Sequence, residues 1–141
     1  MKKIISIVLI LIFVFTFVSC EKEKVDYDLT KMSKHSAIDF IIAMAENNES
    51  NKGQVVKISG EFNVYEEGGM RYFMVTLVDS EHGHTQALEF VLDGDYTYPD
   101  DYPSIGTNVI VTGTFNTYIE DGNTYCFLDK ASIEIPVIVM D

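Results

Sequence analysis

Basic residues are scarce in this 141-residue chain: ten Lys and Arg stand against 22 Asp and Glu, for a net charge of −12. Between Lys57 and Lys130 the one such cation is Arg71. A surface of that sign repels phosphate backbones and anionic headgroups and attracts cations or basic partners. Nucleic-acid binding is not expected, because stacking aromatics on a strand need Lys or Arg beside them to neutralise phosphates. Cysteine is scarce too. Cys20 and Cys126 are the only two, so no disulfide framework carries the fold and a core must do so. The chain has no G-x-S-x-G elbow, H-E-x-x-H pair, P-loop or Gly-rich dinucleotide turn. Cys126 falls inside a strand pattern with no histidine beside it, which reads as a structural thiol rather than a nucleophile. Asp39 and Glu89 have no spacing that would pair them as acid and base. An enzyme is not expected, and no cofactor is implied beyond a divalent cation.

What is present begins with a leader. Lys2 and Lys3 precede an apolar run from Ile4 to Val18, broken only by Ser6 and Thr16. A membrane-spanning helix needs about 20 apolar residues, and this run matches the shorter core of a secretory signal. It ends in Phe17-Val18-Ser19-Cys20, which resembles the lipobox of bacterial lipoprotein signals, with Phe17 where Leu is usual. The resemblance implies cleavage before Cys20 and acylation of its thiol and new amino terminus. Acyl chains contribute about 0.8 kcal/mol per buried CH₂, so two or three of them hold a soluble domain at the bilayer. Residues 1–19 are thus expected to be a signal peptide, 20–32 the lipidated cysteine with a charged tether, and 33–141 a helix plus a β domain. The expected address is the extracytoplasmic side of a cell or outer membrane, with the bilayer and an envelope protein as partners. Loss of Lys2 and Lys3 with the leader leaves the mature chain two charges more negative.

From Ser33 to Asn48 the pattern is helical. Ile38, Ile41, Ile42 and Ala45 recur at spacings of three and four, Phe40 and Met44 widen the stripe, and Ser33 or Ser36 can cap its start. After Gly53 the pattern changes to five β segments rich in Val, Ile, Thr, Tyr and Phe, over 54–65, 70–79, 85–92, 107–117 and 123–135. Turn clusters separate them. Asp121-Gly122 is the clearest, because hairpin turns of that kind need positive φ at both central residues. Residues 60–72 align without gaps on 113–125, sharing Gly, Phe, Asn, Tyr, Glu, Gly and Tyr. Gly60 and Gly113 fall mid-strand, where glycine suits a bulge or a sharp bend that curls a meander into a barrel.

Gly53 to Phe62 and Gly106 to Phe115 resemble the first and fourth strands of OB-fold domains. The resemblance is closest to the tRNA-anti-like family of small exported bacterial proteins, in which a helix precedes a G-x-V-x-V-x-G strand. It covers roughly residues 36–135 and implies a mainly β fold: a five-stranded OB-like antiparallel barrel preceded by one α-helix. It also implies a ligand face on strands two and three, residues 72–92 here.

Two segments carry candidate chemistry. Asp79-Ser80-Glu81-His82-Gly83-His84 joins the second and third strands. His-x-His in an extended segment puts both imidazoles on one face, and imidazole is a ligand for zinc and copper. His82 and His84 are therefore candidate metal ligands, with Asp79 or Glu81 adding oxygen. From Asp93 to Pro103 carboxylates, tyrosines and prolines mix without the EF-hand spacing. Tyr96 and Tyr98 there, with Tyr72, are candidates for a ligand face.

Overall fold

The structure, a computed structural model, describes residues 24–137. The leader and the acylation candidate Cys20 lie outside the described residues. Six strands and two helices follow in the order β1 (Tyr27–Asp28), a 3-10 turn (Leu29–Lys31), α1 (Lys34–Glu46), α2 (Asn48–Asn51), β2 (Val55–Glu67), β3 (Met70–Asp79), β4 (His84–Leu92), β5 (Asn108–Glu120) and β6 (Asn123–Glu134). β2 to β6 lie within a few residues of the five segments that Val, Ile, Thr, Tyr and Phe, set off by turn clusters, mark in the sequence.

The five long strands close into one barrel in the order β2-β3-β4-β6-β5, with β5 returning to β2. This is the expected OB-like barrel, with one correction. The barrel is mixed rather than antiparallel, because β4 and β6 run parallel, Glu89 opposite Phe127 and Phe90 opposite Leu128. Residues 93–107 carry the chain back across the barrel to start β5, and that crossover makes the closing pair parallel.

Both mid-strand glycines sit where the barrel turns a corner. β2 pairs with β5 from Val55 to Glu61 and with β3 from Glu61 onward, so Gly60 lies where one partner gives way to the other. A Cβ on Gly60 would stand 2.6 Å from the Thr76 carbonyl oxygen, which is backbone and cannot yield. A Cβ on Gly113 would meet Leu128 Cβ at 2.9 Å, and the β5–β6 register shifts there. The repeat in the sequence thus marks two points of close strand approach. The tightest hairpin also matches its signal, with φ of 49° at Asp121 and 78° at Gly122.

Alternation along each strand sends Val56, Ile58 and Phe62 inward from β2, Val75 and Leu77 from β3, and Leu88, Phe90 and Leu92 from β4. α1 packs on β3 and β4 and buries Ala37, Ile38, Ile41 and Met44. The buried stripe is rotated from the one expected, for Ile42 is 42% exposed. Against Phe62 and Phe73 the loop after β4 folds Tyr102, with ring centroids 5.8 and 4.1 Å apart.

The segment 20–32, expected to be a tether, joins the domain before its expected end. The Asp26 N–H donates to the Val55 carbonyl at 2.9 Å, β1 pairs in parallel with Val56 and Lys57, and Leu29 is 3% exposed. Tyr27 packs edge-on against Phe40 of α1 at 4.9 Å. Apolar Tyr27 and Leu29, spaced among charges, carry this segment onto the sheet edge. Residues from Asp26 therefore belong to the domain.

Ser33 caps α1, its Oγ accepting from the Ser36 N–H at 3.2 Å. Ser33→Ala is expected to lower unfolding free energy by about 1 kcal/mol, read as a fall in urea midpoint with an unchanged slope. Among the described residues no helix is long and apolar enough to cross a membrane.

Candidate metal centre

Asp79 ends β3 on the inward parity of Val75 and Leu77, so the strand carries a carboxylate to the edge of the core. It is the one buried charged residue among those described, at 6% exposure. Burial alone would push its carboxyl up. The hydrogen bond and charge of His82, with the backbone N–H groups of His82 and Glu81, outweigh that and hold it below the usual 3.8. Asp79 is thus kept anionic.

Two imidazoles meet this carboxylate from different elements. His82, in the turn after β3, places Nδ1 2.8 Å from Asp79 Oδ2. His35, in the first turn of α1, places Nδ1 3.3 Å from the same oxygen. That nitrogen is buried and has no hydrogen-bond partner among the described residues. The capping of α1 at Ser33 fixes His35 at its place on the helix, and packing of α1 on β3 and β4 brings it to the turn.

The other His35 nitrogen, Nε2, lies 3.4 Å from Asp39 Oδ2, one helical turn on. A carboxylate on the far nitrogen is the usual support of a metal-bound imidazole, since it fixes ring orientation and raises basicity. The ligand atoms of His35, Asp79 and His82 lie within 4.8 Å of one another. Around a tetrahedral ion with bonds of about 2.0–2.1 Å, neighbouring ligand atoms sit roughly 3.3–3.4 Å apart. The His35–Asp79 spacing already meets that value. His82 must withdraw by about half an ångström and exchange its proton for the metal.

His84 begins β4, directly across from Asp79. Its ring lies near-parallel to that of His35, centroids 5.7 Å apart, while the His82 ring is 4.5 Å away. His82 and His84 do not share a strand face as the sequence spacing suggested, because His82 belongs to the turn and only His84 to the strand. They converge through His35 instead. Glu81 is exposed and is not one of the three converging ligands, but with Ser33, Lys34, Val78 and Ser80 it lines the cavity of about 350 Å³ into which they open.

The sequence places His35 on the helix, two residues after the cap at Ser33, but spacing alone does not bring it to the turn, because it does not say what that helix packs against.

The three tyrosines expected on one ligand face are divided. Tyr98 packs on Phe73 and Tyr102, and Tyr96 is 50% exposed beside Tyr102. The Tyr72 hydroxyl donates elsewhere, to Glu120 at 3.2 Å. Nearby the Tyr118 hydroxyl donates to Glu89 at 2.7 Å. Burial pushes the Tyr118 hydroxyl far up, and Glu89 and Glu120 add to it. Cys126 is half-buried, and burial pushes its thiol up.

Burial also raises Glu89 above its ordinary 4.5, with Glu120 adding to the rise and the Tyr118 bond opposing it. A carboxyl raised on folding binds its proton first in the native chain, so acidification through that window favours the folded state. As pH falls from neutrality to 4.5, wild type should gain stability relative to Glu89→Gln, with the difference levelling off below 4.5. Urea midpoints at a series of pH values measure this; parallel profiles would refute it.

Comparison of the chain with protein-family models, curated proteins and solved structures finds no match.

Proposed function

We propose that this chain is a non-catalytic, extracytoplasmic binding module, tethered by lipid on Cys20, that holds one divalent transition-metal ion between α1 and the β3–β4 turn. His35, Asp79 and His82 are its ligands, and His84 stands ready as a fourth. The observation that carries the reading is the buried, unpartnered Nδ1 of His35, held 3.3 Å from an anionic carboxylate that also receives His82. A buried polar nitrogen without a partner is costly, and a ligand that supplies the missing bond recovers that cost.

The donor set favours zinc, copper or nickel, since imidazole nitrogen with one carboxylate suits borderline ions. Calcium takes six to eight oxygens, and magnesium near-octahedral oxygen sites, so both should bind weakly. The acidic surface raises local cation concentration and speeds capture. The address follows from the leader and its lipobox resemblance, and the tRNA-anti-like resemblance points to the same exported setting.

Titration calorimetry of the full chain in nonionic detergent with Zn²⁺ tests the reading. One equivalent should bind to wild type. Wild-type heats indistinguishable from those of a His35→Ala/His82→Ala variant would end it.

A further inference from the structure

About 23 Å along β3 from Asp79, at roughly 3.3 Å per residue, lies a second cluster. Tyr72, Glu89, Tyr118 and Glu120 come from three strands: the Tyr72 hydroxyl donates to Glu120 at 3.2 Å, the Tyr118 hydroxyl donates to Glu89 at 2.7 Å, and Tyr118 and Glu120 lie two residues apart on β5. Tyr118 stacks on Tyr125 with centroids 5.4 Å apart, and Phe127 meets Tyr118 edge-on at 5.4 Å. Glu89 and Phe127 are register partners across the parallel pair. Leu88 and Phe90 point inward, so Glu89 and its neighbours stand on the outer face of the barrel.

We propose that this face binds an arginine side chain presented by a partner protein. It is independent of the metal reading and shares no residue with it. Among the described residues neither Glu89 nor Glu120 takes part in an ion pair; each receives a tyrosine hydroxyl instead. The one guanidinium in the sequence, Arg71, is engaged by Glu66 at 2.7 Å and lies over the Tyr98 ring at 4.5 Å. Two carboxylates partly withdrawn from water, repelling each other and lacking a cation, are complementary to one that can reach both.

The aromatic walls select which cation. A guanidinium is planar, stacks on tyrosine faces and binds carboxylates bidentately, whereas an ammonium is a strongly hydrated point charge. The occupant is a protein rather than a free amine because the rings are partly open: Tyr125 is 43% exposed. A small ligand needs a cleft that buries most of its surface, while a side chain on a partner brings its own surroundings. The chain's net charge of −12 adds long-range attraction for a basic partner.

The test uses full chain in nonionic detergent and a blocked Gly-Arg-Gly-Arg-Gly peptide, with its citrulline counterpart and free agmatine as comparisons. The arginine peptide should bind, and the citrulline peptide at least about tenfold more weakly, because charge-assisted bonds and cation–π contact are lost together. Glu89→Gln/Glu120→Gln should weaken the arginine peptide by a similar factor, and Glu120→Gln alone by less. Asp100→Asn/Asp101→Asn, equal in charge removed, and His35→Ala/His82→Ala should leave it within about twofold. Equal losses from the Glu89/Glu120 and Asp100/Asp101 pairs would mean diffuse attraction and overturn the site. Agmatine binding as tightly as the peptide would overturn the partner.

Discussion

Zinc affinity of His35→Ala should fall by more than about 100-fold, beyond the 10–100-fold that loss of a supporting outer residue costs a metal site. The variant removes one of three direct ligands and leaves His82 and Asp79 as a hydrogen-bonded pair, which a metal must break without a second imidazole in compensation. Asp39→Ala, which removes the carboxylate 3.4 Å from His35 Nε2, should cost about tenfold as an outer residue does. His84→Ala should cost less than His35→Ala, because its ring lies farther from the cluster. That ordering is the informative result. A site built on His82 and His84 with Asp79 or Glu81, as their spacing in the sequence suggests, would lose as much through His84 as through His82 and nothing through His35. The barrel should remain folded in each variant, since the His35 side chain is 41% exposed and buries little apolar surface. Unchanged thermal transitions by circular dichroism check this.

The largest loss of stability is expected at Phe62, with Phe62→Ala costing about 3–5 kcal/mol in urea unfolding. Phe62 is fully buried, and its ring neighbours come from three other parts of the chain: Phe73 at 6.3 Å, Phe90 at 6.2 Å and Tyr102 at 5.8 Å. Its backbone N–H also donates to the Thr107 carbonyl at 2.8 Å, and its carbonyl accepts from the Gly106 N–H at 2.8 Å. The side chain thus packs β3, β4 and the crossover loop onto one ring. Truncation leaves a cavity that these strands cannot close without breaking their ladders, so the cost should fall near the top of the range. Tyr102→Ala, at the partly exposed rim of the same stack, should cost less. Equal losses at the two positions would show that the stack does not organise this end of the barrel.

The strands were legible because β-branched and aromatic residues, which suit a half-buried pleated surface, gather in them and turn residues gather between them. The corners were legible because close approach admits only glycine, and the aligned Gly60 and Gly113 betray it. The direction of the closing pair was not. Nothing local in Glu89 or Phe127 states which way the partner runs; the path of residues 93–107 decides it. Where the domain begins was obscured by charge, since Asp26 and Asp28 read as solvated while Tyr27 and Leu29 beside them settle on the barrel.

The candidate centre was half legible for a related reason. Asp79, His82 and His84 lie together in sequence and can be weighed as a unit. His35 is more than forty positions earlier, and its approach depends on how α1 rolls on β3 and β4. That roll follows from burying Ala37 and Met44 rather than Ile42, a choice that helical spacing leaves open. The division of Tyr72 from Tyr98 has the same origin, because contact across strands depends on register that composition does not carry.

The most direct test of the central claim is the visible absorption of Co²⁺, standing in for zinc, added to the full chain in nonionic detergent. Metal held by imidazoles and one carboxylate from α1 and the β3–β4 turn should give one equivalent of the intense, structured spectrum of tetrahedral cobalt. Zinc should displace it, and His35→Ala should abolish it. The weak spectrum of hydrated, octahedral cobalt in the wild-type chain, or a tetrahedral spectrum that survives loss of His35, would contradict the account.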